Sequence, residues 1–347
     1  MNLEKLLNND FQFKITDQVK ATLKNKTILI TGVAGSIGSE ISKIIAEENC
    51  CELILLDQAE SDLYNLQQEL ILKNYKNHTI VVGDVCDKAL MEVLYKKYQP
   101  QIVYHIAAYK HVPLMEDHPY LAVKVNVLGT KIIADLSKKY SVLHFILVST
   151  DKAVNPVSVM GATKRIAELY VGNLNDETSK VFKVVRFGNV PYSKGSVIPL
   201  FKKQLYLNQK ITITDTMISR YFITMKNVCK LLIQALVIND CNLLIYNMGK
   251  SVPIEELAIK LIEQEGLAIE NIKIEKIGLR PGEKLNEEIV YGDEIEIRTD
   301  TKADIKKYNL ILDEDINTKI KKLTAITPDF SREKIIDLLQ DIVPQYS

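Results

Sequence analysis

The chain has 347 residues, 47% of them apolar and 25% charged, ordinary values for a soluble globular protein and enough chain for two domains or one enlarged α/β domain. Lys and Arg balance Asp and Glu at 44 each, so no general attraction to nucleic acid or to an anionic membrane is expected. Five cysteines without a C-x-x-C pair, no apolar run near the roughly 18 to 20 residues that span a bilayer, and a polar N-terminus without a signal-peptide core predict a cytoplasmic protein with reduced thiols.

Residues 1–25 read as a short helical extension. Thr27 to Thr31 (TILIT) is an apolar strand running straight into Gly32, Gly35, Ser36, Ile37 and Gly38, after which Ile37, Ile41, Ile44 and Ile45 recur at helical spacing. Strand, glycine turn and helix in that order make a pyrophosphate site: the turn lets the backbone approach, and the helix N-terminus meets the charge. Leu53 to Asp57 (LILLD) is a second strand ending in an acid about 20 residues on. Asp57 either accepts hydrogen bonds from the adenosine ribose and disfavours a 2′-phosphate, or caps the next helix.

Thr79 to Val82 leads to Asp84 and Val85, where an acid can reach an adenine amino group. Ile102 to Ala108 (IVYHIAA) is a buried strand whose tip carries Ala107, Ala108, Lys110 and His111. No partner at suitable spacing makes His111 a metal ligand, and no metal site is expected. Asn126 is expected to hold backbone groups together from the following helix. The βαβαβ alternation predicts a doubly wound parallel sheet.

His144 to Val148 (HFILV) is the next strand. Ser149, Thr150, Asp151 and Lys152 follow at the carboxyl edge of the sheet, where open α/β sheets bind ligands, so an acid and a base stand side by side. Met160 and Lys164 then share a helix face. Lys183 to Phe187 is a sixth strand, ending at Asn189. Beyond it Ser196 and Val197 open a helix, Ile211 to Thr214 is short and extended, Arg220 precedes a helix from Lys226 to Val237, and Leu244 to Met248 is a strand. Pro253 to Glu265 is amphipathic, Ile272 to Ile277 is an edge strand delivering Arg280 and Glu283, and the tail from Asp315 is helical. The predicted partition gives 26–190 with 221–249 to a dinucleotide-binding domain, and 191–220 with 250–347 to a smaller substrate domain.

The spacing G-x-x-G-x-x-G and the M-x-x-x-K pair, read against Y-x-x-x-K, resemble the short-chain dehydrogenase/reductase superfamily. Within it the chain resembles an extended member, the catalytic domain of bacterial UDP-N-acetylglucosamine 4,6-dehydratases of the polysaccharide-biosynthesis group. The matching pieces are TGVAGSIGSE (31–40), AAYKHVPLME (107–116), STDKAVNP with VMGATKR (149–165), RFGNV (186–190), GSVIPLF (195–201) and GLRPGEKL (278–285). Met160 resembles the branch that replaces the usual Tyr and is commonly fused to membrane helices. PYSK (191–194) departs from the family's small turn and bears on sugar or base preference.

The resemblance implies tightly bound NAD, regenerated each turnover, and a UDP-sugar substrate. Carbon 4 is oxidised, water is lost across carbons 5 and 6, and hydride returns to carbon 6. It implies Asp151 as acid and a neutral Lys152 as base, with the reverse left open. Thr150 relays the carbon 4 proton and Lys164 binds the nicotinamide ribose. Arg220 and Arg280 are expected on the diphosphate and Glu283 on the uridine ribose, with Asn189, Ser196 and Val197 against the nucleotide. Lys110 and His111 are expected either to touch the sugar or the nicotinamide or to serve only the loop that carries them. Fold analogy implies a homo-oligomer. Rival expectations are a nucleotide-sugar 4-epimerase, which needs no acid/base pair for dehydration, and an NAD-sensing protein without catalysis.

Overall fold

A computed structural model describes residues 14–176, 181–208, 210–292, 294–297, 304–311 and 313–346. Of the N-terminal extension only its end lies within them: α1 (Asp17–Leu23), capped by the Thr16 side chain, buries Val19 and Leu23.

The apolar runs become strands because both their faces are covered. They are β1 (Thr27–Thr31), β2 (Glu52–Asp57), β3 (His78–Val82), β4 (Ile102–His105), β5 (His144–Thr150), β6 (Phe182–Phe187) and β9 (Leu243–Tyr246). All pair in parallel. With β12 (Ile295–Ile297) and β13 (Ile305–Asn309) they form a nine-stranded sheet of order β12-β13-β9-β6-β5-β4-β1-β2-β3. The chain grows one way from β1 to β3 and the other way from β4, so the order reverses between β1 and β4. A ligand crevice opens at the carboxyl ends of strands flanking such a reversal.

Helices cover both faces. One buried cluster lies under α4 (Lys88–Tyr98), α5 (Val112–Asp117), α6 (Pro119–Ala122), α7 (Thr130–Lys139) and α8 (Val159–Gly172). The other lies under α1, α2 (Ser36–Glu47), α3 (Glu60–Leu72) and α10 (Met225–Gln234). A π-helical turn, Val123–Gly129, joins α6 to α7. It carries Asn126, whose Oδ1 accepts from Tyr109 N at 2.8 Å and whose Nδ2 donates to Tyr109 O at 3.0 Å, the backbone-holding role expected of it.

A separate cluster, including Ile198, Phe201, Ile211, Leu257 and Leu261, builds the smaller unit. It comprises α9 (Val197–Asn208), α11 (Ile254–Gln264), the parallel pair β7 (Lys210–Ile213) and β11 (Lys273–Lys276), and the antiparallel pair β8 (Ser219–Arg220) and β10 (Val252–Pro253).

The structure redraws the expected partition at its C-terminal end. β13 pairs antiparallel with β9, from Ile305 opposite Tyr246 to Tyr308 opposite Leu243. Ile316 and Ile320 of α12 (Ile316–Leu323), with Ile335 and Leu339 of α13 (Arg332–Ile342), share a core with Ile166 and Leu169 of α8. The described residues of 305–346 therefore extend the large sheet and its covering layer and do not belong to the smaller unit. Apolar side chains facing α8 hold them there.

Candidate active site

One cleft of about 910 Å3 runs from the glycine turn, past the end of β5, to the 280s loop. At its first end the turn between β1 and α2 is drawn so tight that a Cβ on Gly38 would lie 2.2 Å from the Gly32 carbonyl oxygen. Ser36 and Ile37 then begin α2 and line the crevice. The Asp57 Oδ2 accepts from Ala34 N at 2.9 Å and Oδ1 from Ala59 N at 3.0 Å. It thus fastens the glycine turn and the bend before α3, and each oxygen keeps a second lone pair for a ribose hydroxyl. Asp84 Oδ1 accepts from Cys86 N at 2.9 Å, and Val85, Ala107 and Ala108 line the same wall.

Under this floor His105 is fully buried, with Nδ1 2.8 Å from Thr31 Oγ1 and Nε2 2.9 Å from Thr130 Oγ1. Burial pushes its pKa down to about 3, with a smaller push from the Lys164 charge. The ring is neutral.

At the centre, β5 runs two residues further than Val148 and delivers Ser149 and Thr150 as strand residues, followed by one 3-10 turn, Asp151–Ala153. Ser158 caps α8 by accepting from Gly161 N at 3.0 Å. Gly161 lets the helix press on the turn, since a Cβ there would sit 2.2 Å from the Lys152 carbonyl oxygen. Thr150, Lys152, Met160 and Lys164 line the cleft together. Lys164 Nζ donates to the Val148 carbonyl at 2.7 Å, and burial draws its pKa down to about 8.

Two expectations change here. Asp151 is fully buried and does not line the cleft; its Oδ1 accepts from Thr150 Oγ1 and Lys152 Nζ, each at 2.9 Å, while Oδ2 has no partner. A neutral Lys152 is not what this arrangement favours. Burial pulls its pKa down, but the carboxylates of Asp151 and Glu287 outweigh that and hold it above the ordinary value. Lys152 Nζ also donates to Asn189 Oδ1 at 3.1 Å.

The substrate end differs in detail from the expected diphosphate ligands. Arg220 is buried and already donates to the carbonyls of Ser219, Leu285 and Lys284 at 2.7, 3.1 and 2.9 Å; it holds the 280s loop against β8. Arg280 is half-exposed and chelated by Glu283, NH2 to Oε1 at 2.6 Å. Both residues face the cleft, as do Ser196 and Val197 at the start of α9, and Ser196 Oγ is buried without a partner. Lys110 Nζ reaches Ser193 Oγ at 3.4 Å, and burial lowers its pKa.

Sequence reasoning missed two residues. Glu287 is buried on the cleft wall, its Oε1 3.6 Å from Lys152 Nζ and 3.7 Å from Arg220 Nε. Lys194 spans the cleft to the glycine turn: its N donates to Ser36 Oγ at 2.9 Å, and its Nζ to Ala34 O at 3.0 Å and Asp62 Oδ1 at 2.7 Å. The position of Lys194 in the unusual 191–194 turn was a usable signal; nothing in the sequence around Glu287 distinguished it from its neighbours. Among the described residues no His, Cys, Asp and Glu group is arranged to hold a metal ion, and no helix is long and apolar enough to cross a membrane.

The fold and cleft define the class: a doubly wound α/β protein whose dinucleotide crevice continues, in one cleft, past Thr150, Lys152 and Lys164 to a far end lined by Arg220 and Arg280. The chain belongs to the family described as polysaccharide biosynthesis protein, whose pattern matches residues 28–309. It is 42% identical over 326 residues to the capsular polysaccharide biosynthesis protein CapD of Staphylococcus aureus, covering 92% of this chain and 54% of that protein. Against a UDP-N-acetylglucosamine 4,6-dehydratase (inverting) of Campylobacter jejuni it is 33% identical over 273 residues, 78% of each. A UDP-glucose 4-epimerase of Rickettsia bellii is 31% identical over 280 residues, 78% of this chain and 79% of its own. The solved structure of Pen from Bacillus thuringiensis superimposes with a TM-score of 0.73 at 34% identity, covering 79% of this chain and 85% of that one. The chain spans about half the length of the first curated relatives it matches.

Proposed function

We propose that the protein is an NAD-dependent nucleotide-sugar 4,6-dehydratase that acts on UDP-N-acetylglucosamine. The observation that carries this reading is the meeting of Thr150, Lys152 and Lys164 on one cleft wall with Asp151 directly behind. A 4-epimerase has no use for that acid/base pair. The relatives named as dehydratases support the reading, and those named as epimerases supply the rival.

The residues fit the cofactor: the glycine cradle has no room for a Cβ, and the Asp57 carboxylate repels a 2′-phosphate, which favours NAD over NADP. NAD held by the glycine turn, Asp57 and Lys164 would supply the acceptor for the carbon 4 hydride and the donor that restores it at carbon 6. The chain's own groups move the protons. Met160 has none to give, so the carbon 4 hydroxyl proton passes through Thr150, whose hydroxyl already donates to Asp151 Oδ1. Oxidation at carbon 4 acidifies the carbon 5 proton. Lys152, held as an ammonium, protonates the departing carbon 6 hydroxyl and is recharged with the carbon 4 proton that Thr150 has passed to Asp151, 2.9 Å from its Nζ. Asp151, freed of that proton, takes the carbon 5 proton by the same Thr150 route and returns it to carbon 5 when hydride reaches carbon 6. Lys164 holds the nicotinamide ribose. Arg280 and Glu283 part from each other to meet the diphosphate and uridine ribose.

Proton NMR of a reaction with UDP-N-acetylglucosamine in deuterated water tests this. The expected product has a carbon 6 methyl, a keto group at carbon 4 and solvent deuterium introduced during turnover. Formation of the 4-epimer alone overturns the reading in favour of epimerisation; tight NAD binding with no UDP-sugar consumed overturns it in favour of a non-catalytic protein.

A further inference from the structure

We propose that Glu287 is a positioning residue of this reaction: its carboxylate, opposite Asp151, holds the Lys152 ammonium and links it to Arg220, so that Lys152 meets the sugar as a proton donor. This rests on the dehydratase reading for its chemistry. Its geometry stands apart from that reading.

The charged groups facing Lys152 are few. Asp151 lies below it in its own turn, 2.9 Å from Nζ. Glu287 lies across the cleft at 3.6 Å, with the Arg220 guanidinium on its far side at 3.7 Å. Asn189 supplies a neutral acceptor from the end of β6, and α8 presents Met160 and Lys164 on the same wall. Glu287 is therefore the one carboxylate among these that both faces the cleft and reaches Lys152. Its own side chain is 4% exposed, and a carboxylate so deeply buried is retained against its desolvation cost by the cations beside it.

The loop that carries Glu287 is sewn to the turn that carries Lys152. Lys284 Nζ donates to Val154 O at 3.0 Å, Asn155 Nδ2 to Glu288 Oε2 at 2.8 Å, and Tyr291 OH to Ala153 O at 2.8 Å. These bonds on either side fix Glu287 in register with Lys152. The carboxylates of Asp151 and Glu287 outweigh burial at Lys152, and the Arg220 charge opposes them only in part.

The test uses the full chain with Glu287→Gln and Glu287→Asp. Trace acetylation read by mass spectrometry reports the free-amine fraction of Lys152 relative to exposed Lys73, without needing turnover. A carboxylate at this distance shifts a neighbouring pKa by about 1 unit or more, so the Gln variant is expected to label Lys152 on the order of tenfold faster. Its turnover of UDP-N-acetylglucosamine should fall, with the alkaline limb of the pH profile displaced to lower pH by about 1 unit. Glu287→Asp should restore part of both. Unchanged Lys152 labelling in the Gln variant, whatever happens to turnover, overturns the proposal and leaves Glu287 a structural residue. If wild type converts no UDP-sugar, the dehydratase reading fails while the labelling contrast still decides the role of Glu287.

Discussion

Replacing His105 with Gln should remove one proton's worth of acid sensitivity from the fold. The neutral ring is fully satisfied where it stands. Thr130 Oγ1 spends its proton on the Asn126 carbonyl at 2.7 Å and so accepts from Nε2, while Thr31 Oγ1 donates to Nδ1 and accepts from the amides of Ile106 and Ala107. A second ring proton would force Thr31 Oγ1, which already accepts from two backbone amides, to give up its donor role as well. The unfolded chain protonates His105 below pH 6.5, whereas the native ring resists to about pH 3. Across that window the unfolded state binds more protons, so stability falls as pH falls. From pH 6.5 to 5 the loss through this residue is about 2 kcal/mol, at about 1.4 kcal/mol per unit. Urea unfolding of wild type and His105→Gln at both pH values isolates it, because His144 and the carboxylates are common to both. Equal pH slopes for the two proteins would refute the reasoning.

Gly161→Ala should keep the fold but displace the turn that holds Lys152, lowering turnover by about 100-fold as a 1 Å misplacement does; normal kinetics would remove the close approach from the argument. Lys194→Ala should release NAD about tenfold faster through loss of charge-assisted bonds across the glycine turn, read as cofactor retained through gel filtration. Arg186→Met leaves Glu168 and Glu294, each 2.7 Å from the guanidinium and both buried, with Arg165 alone; unfolding free energy should drop by about 3–5 kcal/mol. Lys164→Met should abolish turnover yet raise stability at pH 7 by about 3 kcal/mol, because a buried ammonium whose pKa has fallen from 10.5 to about 8 destabilises the native state until it loses its proton. In wild type that penalty should fade as pH rises from 8 to 10.5, a gain visible in thermal midpoints.

The parallel strands were legible because each is a short apolar run closed by a turn residue, and burial on both faces leaves no other pattern. The glycine turn, Asp57 and the Thr150-Asp151-Lys152 edge followed from where those strands end. β12 and β13 escaped notice because IEI is only three residues with a charge at its centre and IKKYN carries two adjacent lysines, so neither reads as an apolar run, and nothing in the tail helices signals that they pack on α8. Asp151 was legible as an acid beside a base, but chain adjacency does not say which side chain faces the cleft: in a 3-10 turn, successive residues point in different directions. Glu287 was out of reach for a related reason. It lies in a loop without periodicity, and only the folded chain brings it to Lys152.

The two lysines of the site are pushed in opposite directions by the same burial. Lys164 finds one carbonyl, and Glu168 offsets its desolvation only in part, so its pKa falls. Lys152 finds two carboxylates and stays charged. In the dehydratase reading proposed above, a pair of amines separated in this way divides labour without a tyrosine: the one that is easily neutralised is assigned to the ribose, and the one that keeps its proton to a leaving hydroxyl. That division follows from the placement of the carboxylates, Glu168 on the helix and Asp151 with Glu287 around the turn. Exchanging those surroundings, and not the lysines themselves, is what would exchange their roles.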